Sequence, residues 1–412
     1  MSLRCLLWLF FLTTFTSSIA TGAKHTGRWN KASRITIPFT HDIYSSRYAL
    51  DEDGTPNNEG EAHGKVIPPK GAKFSSIKLN DKTKTEVAVL ISDRVDKSRV
   101  EHAFVIVHGK LRDGDYYWET MNRVVKRAKA KKYPGSNRES IIIAPQLFST
   151  VFNLGQYTPR QLAWGDLNAW QAGSVATHPS GTTFSSMDAL DALVVDVSNR
   201  EKYPRMKNVT IVGHGGGGQL VQRYAAVGKD PPAHISVRYI HGDASSSAYF
   251  TTDRPIMEDE DTAPGACEFY NTWRYGFDQF PGTIDGRKSP KEYFKQYVTR
   301  DVISIVGYRD VKSNGDTSCM ARAQGGTKRR DRNLVWYRYI NTLARTSENL
   351  DGFPGRFENL PDWSLVSNST VNLRLTVVED AAHDVAEVLQ SENGLSALFS
   401  DGDVYIGWRP KA

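Results

Sequence analysis

The sequence predicts an α/β protein whose core is a mostly parallel, doubly wound sheet with helices on both faces. Apolar runs of strand length alternate along the chain with segments of helical periodicity. Several of these runs are apolar throughout, which is typical of strands that are covered on both faces. The predicted strands span 74–79, 86–91, 102–107, 140–145, 209–212, 235–240, 301–307 and 372–378, the first two as an antiparallel edge. The predicted helices span 116–130, 185–199, 333–345, one that begins near 217 and one that begins near 385.

Residues 208–227 organise the predicted fold. A buried strand at 209–212 leads into the turn Gly213-His214-Gly215-Gly216-Gly217, and a helix follows. Strand, tight glycine turn and helix form the nucleophile elbow G-x-S-x-G, whose small flanking residues let strand and helix approach each other. Gly215 occupies the nucleophile position, so the turn keeps its backbone amides but lacks the attacking hydroxyl. The run also lacks the Lys-Ser/Thr pair of a P-loop, which argues against nucleotide binding.

Polar groups follow four of the predicted parallel strands, at the sheet edge where functional groups gather. They are His108-Gly109, the elbow, Asp310 and His383. Elbow, then acid, then histidine is the chain order of one class of catalytic triad, in which the histidine accepts a proton and the acid fixes its tautomer. The loop after residue 307 is long enough for Asp316 to compete as the acid.

A displaced nucleophile is a further hypothesis. Ser245, Ser246 and Ser247 follow the strand next to the elbow and are the nearest hydroxyls in the predicted sheet. Turn and capping roles are the alternative interpretation of these serines.

Residues 1–20 are typical of a secretory signal peptide. Arg4 precedes an apolar run from Cys5 to Phe15, and Ser18-Ile19-Ala20 is a small-x-small cleavage signal. The apolar run is too short to span a bilayer, and no later window is apolar enough, so we expect a secreted, extracellular protein. Residues 21–72 are polar and aperiodic, which predicts an extension draped on the domain or partly disordered, and residues 73–412 form the α/β domain.

In a secreted protein, cysteines can form disulfides and asparagines in sequons can be glycosylated. Cys5 leaves with the leader, so Cys267 and Cys319 predict a disulfide, with free or catalytic thiols as the alternative. Asn208 and Asn368 lie in glycosylation sequons. Asn208 begins a predicted buried strand, so we expect that site to be unused.

Composition excludes several classes of partner and cofactor. The formal net charge is +6, and the basic clusters at 126–132 and 328–330 are interpreted as a solvated helix face and a loop, because no nucleic-acid module accompanies them. There is no His-Glu-x-x-His and no paired Cys-x-x-Cys, so we expect no metal and no cofactor. The aromatic segment 148–184 predicts either loop-rich cap loops or a packed loop, and the sequence does not fix the oligomeric state.

Residues 74–412 resemble secreted α/β-hydrolases of fungi, oomycetes and bacteria, an esterase- and lipase-like group whose elbow reads like Gly-His-Ser-x-Gly-Gly-Gln. The resemblance rests on Gly213–Gln219, the following Val-Gln-Arg-Tyr-Ala, Tyr270–Gly276 and Asp316–Cys319. It implies an α/β-hydrolase fold and a triad of acid Asp310 and base His383. It also implies an oxyanion hole of backbone amides near Lys110 and at Gly216. The departure is Gly215, where the family has serine.

These observations leave three functional hypotheses. The first is a secreted pseudoenzyme that binds a small ester-like or glycan ligand. The second is an active hydrolase in which His383 and Asp310 act on water. The third is a hydrolase that uses one of the serines at 245–247.

Overall fold

The computed structural model describes residues 64–79, 82–165, 168–258, 267–399 and 403–411. The predicted leader, residues 1–20, and the predicted extension up to residue 63 lie outside the described residues. Residues 64–71 run along the domain, where Val66 is buried in the core and its amide donates to Gln156. Within the described ranges, no helix has the length and apolarity needed to cross a bilayer.

Eight strands form the central sheet. In chain order they are β1 (Ala72–Lys78), β2 (Glu86–Ser92), β3 (His102–Val107), β4 (Ser140–Gln146), β7 (Asn208–His214), β8 (Ser236–Gly242), β9 (Asp301–Gly307) and β10 (Leu373–Val378), with the two-residue strands β5 (Phe148–Ser149) and β6 (Ala163–Trp164) paired separately. Their spatial order is β1-β2-β4-β3-β7-β8-β9-β10. β2 is antiparallel to both β1 and β4, and every other neighbouring pair is parallel. The predicted α/β class, the parallel sheet and its antiparallel edge are confirmed.

Helices cover both faces of this sheet. They are α1 (Gly114–Ala130), α2 (Ser186–Val197), α3 (Gly216–Val227), α4 (Pro290–Thr299), α5 (Cys319–Arg322), α6 (Arg329–Ala344), α7 (Ser364–Ser367), α8 (Val385–Gln390) and α9 (Glu392–Phe399). α1, α8 and α9 pack on one face, and α2, α3, α4 and α6 pack on the other. Side chains of β3 alternate between the two cores: Val105 and Val107 face α3, and Phe104 and Ile106 face α1.

α4 is a helix that was not predicted from the sequence. Ser289 caps it by accepting from the amide of Glu292, the Glu292 carboxylate accepts from the amide of Ser289, and Pro290 is its first residue. The capping box is present in the sequence, but it lies at the end of a long aspartate- and glycine-rich segment that was interpreted as a loop.

The loops after β8 and β9 are joined covalently. Cys267 and Cys319 form the predicted disulfide across 52 residues. Met320 and Ala321, at the start of α5, are buried in a small cluster with Cys267. The disulfide thus holds together the loop that follows β8 and the loop that follows β9.

The described part of segment 148–184 is a packed loop. Trp164 and Trp170 are fully buried, and residues 169–172 form a 3-10 helix beside the N-terminus of α3. Whether this segment also covers a ligand remains a prediction.

The crossing of β3, β7 and α3 leaves no room for a side chain at Gly217. A Cβ there would lie 2.4 Å from the carbonyl oxygen of Val107 and 2.5 Å from that of His108. Both neighbours are backbone atoms of a central strand and its turn, so they cannot rotate away. The glycine is therefore required by packing.

We predict that Gly217→Ala lowers the free energy of unfolding by about 3 kcal/mol or more, because the strand and helix must separate to admit the methyl group. Gly216→Ala is the matched control: its Cβ would meet Gln171, Trp170 and the Lys110 amide, each at 3.3 Å. We expect that control to cost less than about 1.5 kcal/mol. Urea unfolding of both variants measures the difference, and equal costs would contradict the packing argument.

Candidate active site

Gly215 adopts the backbone conformation that an elbow requires. It links β7 to α3 with φ 57° and ψ −117°, outside the region that side-chain-bearing residues prefer. Its amide donates to the carbonyl of Gly242 at 2.9 Å, and its carbonyl accepts from the amide of Gln219 at 3.0 Å. Gly215 therefore has the backbone conformation of a nucleophile elbow but no side chain.

His383 lies directly above this turn. A Cβ on Gly215 would be 3.0 Å from His383 Nε2 and 3.3 Å from its Cε1. Nδ1 of the same ring is 2.9 Å from Oδ2 of Asp310. With Nδ1 donating to the carboxylate, Nε2 presents its lone pair to the space above Gly215.

Asp310 follows β9 and is held from two sides. Arg329, the first residue of α6, donates Nε and Nη2 to the two carboxylate oxygens at 2.9 and 2.7 Å. The side chains of Asp310 and Arg329 are 0% and 3% exposed. A carboxylate this deeply buried needs such a paired, bidentate partner.

These contacts set the protonation states of the pair. Burial opposes ionisation of Asp310, yet hydrogen bonds from His383 and Arg329 outweigh it and lower the pKa of Asp310 to about 2. Burial and the neighbouring His214 lower the pKa of His383 below its usual value, despite the bond to Asp310. At neutral pH the arrangement is an ionised acid beside a neutral imidazole, which is the resting state of a general base.

Asp316, the competing acid, lies elsewhere. It accepts from Arg274 at 3.2 Å and from the Tyr275 hydroxyl at 2.7 Å, and the Ser318 hydroxyl donates to its other oxygen at 2.7 Å. This buried network belongs to the disulfide-linked loops. Asp310 is therefore the carboxylate that the structure brings to His383.

Lys110 and Gly216 border one space beside Gly215. The Lys110 amide nitrogen is 3.3 Å from the position that a Cβ on Gly216 would occupy. His108 fixes the turn that carries Lys110: its Nε2 accepts from the amide of Leu147 at 3.1 Å, so Nδ1 donates to the carbonyl of Gly109 at 2.9 Å. The two residues that the resemblance implied for an oxyanion hole thus lie together.

The contacts of the three serines after β8 do not support a role as nucleophile. Ser246 donates to Gln219 at 2.8 Å and accepts from Arg223 at 3.0 Å, so its hydroxyl belongs to a buried network. Ser247 bonds to Gln324 through its backbone, and Ser245 lines the cavity described below. None of the three hydroxyls has a hydrogen bond to His383 within the described residues.

His214 forms a second histidine–carboxylate pair under the first. Its Nε2 is 3.0 Å from Oδ2 of Asp243, and its ring centroid is 4.5 Å from that of His383. His214, Asp243 and His383 place their ligand-type atoms within 4.8 Å of one another, a grouping that the sequence did not suggest. Nε2 of His214 is bonded to Asp243, and Nδ1 of His383 is bonded to Asp310.

The site opens into a cavity of about 240 Å³. Its lining combines the elbow and His383 with residues from the start of α1, notably Asp113, Tyr116 and Tyr117. Burial raises the pKa of Asp113 to about 6, with a further contribution from Asp115. Asp113 was not among the predicted site residues, because an acid just before a helix is ordinarily a capping residue.

The basic cluster at 328–330 is not simply a solvated loop. Arg329 is buried against Asp310, whereas Lys328 is exposed and Arg330 is half-buried beside the Tyr308 ring. The interpretation of this cluster as solvated was therefore wrong for Arg329. A run of three cations gave no signal that its middle member faces a buried carboxylate.

Comparisons with known proteins support the fold. Poly(aspartic acid) hydrolase-1 from Sphingomonas sp. KT-1 aligns with 79% of this chain and 97% of its own, at 17% identity and a TM-score of 0.50. A poly(3-hydroxybutyrate) depolymerase from Bordetella parapertussis aligns at 18% identity over 81% of this chain and 92% of its own, with a TM-score of 0.49. No protein-family model matches the sequence, and no curated protein matches it. The first likeness, with the strand order described above, identifies an α/β-hydrolase fold.

We predict that Arg329→Met lowers the free energy of unfolding by about 3–5 kcal/mol, because it leaves the buried Asp310 carboxylate without its cation. The double variant Arg329→Met/Asp310→Asn should recover most of that loss, since the uncompensated charge is then removed. Urea unfolding of the single and double variants measures both effects.

The control is Arg309→Met, whose partner Asp380 is 85% exposed. We expect it to cost less than about 1 kcal/mol. A similar cost for Arg329→Met and Arg309→Met would show that the buried pair does not anchor the site.

Proposed function

We propose that this chain is a secreted, esterase-like pseudohydrolase that binds a small ester-like or glycan ligand above Gly215 and forms no acyl-enzyme. One observation carries the proposal: Gly215 has the backbone conformation and the histidine neighbour of a nucleophile but has no side chain. Covalent catalysis needs an attacking atom at that point, and glycine offers none.

The remaining machinery supports descent from a working hydrolase. An ionised Asp310 orients a neutral His383, and the Lys110 and Gly216 amides border the adjacent space. In serine hydrolases these groups activate the nucleophile and stabilise the oxyanion. In this chain the same groups surround the position that a side chain of residue 215 would occupy. There they can bind a carbonyl or hydroxyl group of a ligand.

A second candidate function rests on the same space. A water molecule near the missing hydroxyl position would face Nε2 of His383, which is neutral and hydrogen-bonded to an ionised acid. The chain would then be a slow hydrolase acting through a histidine–aspartate dyad. Such turnover would survive a fluorophosphonate, which needs a nucleophile to modify, and would be lost in His383→Ala.

We predict that Gly215→Ser raises hydrolysis of p-nitrophenyl butyrate at least about 100-fold over the natural protein, since loss of a catalytic serine costs several orders of magnitude. The His383 side chain is 32% exposed and can retreat by the few tenths of an ångström that a new Cβ requires. Initial rates with the purified proteins measure the gain.

Two controls isolate the hydroxyl. Gly215→Ala introduces the same backbone strain without an attacking oxygen, and Gly215→Ser/His383→Ala removes the base. Both should stay at the level of the natural protein. No gain in a folded Gly215→Ser variant would contradict the proposal that the rest of the site is intact. Histidine-dependent turnover by the natural protein would instead favour the dyad.

A further inference from the structure

Asp113 is an acidic residue that the proposed chemistry does not use. It lies in the loop between β3 and α1 and lines the same cavity as Gly215 and His383. Its side chain is half-buried, yet it is neither a triad member nor a partner of His383 in the contacts described.

The local fold does not explain the Asp113 carboxylate. Asp113 occupies the capping position of α1, but its side chain accepts no hydrogen bond from the first turn. Gln146 takes that role instead, since its Oε1 accepts from the amide of Gly114 at 3.0 Å. Among the described residues, Oδ1 of Asp113 is buried without a hydrogen-bond partner. The capping bonds of α1 therefore do not account for the carboxylate, whose side chain still borders the cavity, where a ligand group can approach it.

The surroundings of Asp113 favour a positively charged partner. Two cationic residues, Lys110 and Arg329, also line the cavity; Arg329 is committed to Asp310, and neither forms a salt bridge to Asp113 within the described residues. The nearby Asp115 raises the pKa of Asp113 further, although burial is the larger cause and brings it to about 6. At neutral pH the carboxylate is therefore charged. A cation offsets an unpaired buried charge more strongly than a neutral hydroxyl does.

Two tyrosines complete this side of the cavity. Tyr116 is 38% exposed, and Tyr117 is buried with its hydroxyl against Gly109. The Arg123 guanidinium already lies 6.0 Å from the centroid of the Tyr116 ring. The tyrosines therefore shape this side of the cavity, and Asp113 supplies negative charge there. The cavity thus has an anionic, aromatic side at α1 and an amide- and histidine-lined side at the elbow.

We propose that Asp113 binds an ammonium group of the ligand, so that this site accepts amine-bearing esters in preference to neutral ones. This inference rests on the proposed function, because it assumes that the ligand's ester or carbonyl group lies at the elbow. Asp113 would set the ligand's charge and orientation, and it takes no part in bond breaking.

The test uses two probes of nearly the same size. N-acetyl-lysine methyl ester carries a side-chain ammonium, and N-acetyl-norleucine methyl ester ends in a methyl group. Isothermal titration of the natural protein should show at least about tenfold tighter binding of the lysine ester, a ratio expected for a partly desolvated ion pair. In Asp113→Asn the ratio should fall to about one. In the matched variant Asp115→Asn it should persist, because Asp115 bonds to the backbone of residues 67 and 116 and does not line the cavity.

The outcomes separate this inference from the proposed function. Equal binding of the two esters, or a preference that survives Asp113→Asn, overturns the ammonium site. If Gly215→Ser does not hydrolyse p-nitrophenyl butyrate, the proposed function is contradicted. The titration still decides whether Asp113 binds an ammonium group. If that variant is active, pH-stat rates on the two esters repeat the comparison. The lysine ester should then show the higher kcat/KM only while Asp113 is present.

Discussion

The backbone approach of α3 to the central strands is the constraint on which the rest of the site depends. Gly217 lies against the carbonyl oxygens of Val107 and His108 at distances that exclude any side chain. The crossing lies two residues after Gly215, whose φ is 57°, and it places the N-terminus of α3 beside His383. Glycine at 215 avoids the strain that a serine would bear there, so this turn forms more easily with glycine than with serine. The elbow therefore persists for structural reasons whether or not the chain is catalytic.

The packing of α3 does not explain the Asp310–His383 pair. The Asp310 carboxylate is already paired bidentately with Arg329, so its burial does not require the histidine as well. His383 nevertheless places Nδ1 on Asp310 and leaves Nε2 facing the site, with a pKa that keeps it neutral. A histidine held in this tautomer beside two amides offers an acceptor and donors at once. That combination suits recognition of a carbonyl or hydroxyl group as well as it suits catalysis.

Much of this architecture could be predicted from the sequence. Apolar runs of strand length, several of them unbroken, predicted every strand of the large sheet, and the glycine turn located the elbow, because both signals arise from local chemistry. The choice between Asp310 and Asp316 could not be made, since both lie in one long loop and only tertiary packing sends Asp316 to Arg274. Arg329 was missed because nothing in a basic triplet marks the member that becomes buried. Asp113 was missed because it occupies a capping position. The sequence could not show that its side chain makes no capping hydrogen bond.

The central claim is that the acid, the base and the oxyanion amides remain in register around a missing nucleophile. The most direct measurement is a crystal structure of Gly215→Ser after reaction with a p-nitrophenyl phosphonate. The account predicts a covalent adduct on the new serine. Its phosphonyl oxygen should accept hydrogen bonds from the Lys110 and Gly216 amides, and His383 should remain bonded to Asp310. A folded variant that forms no adduct, or an adduct whose oxygen points away from both amides, would contradict it.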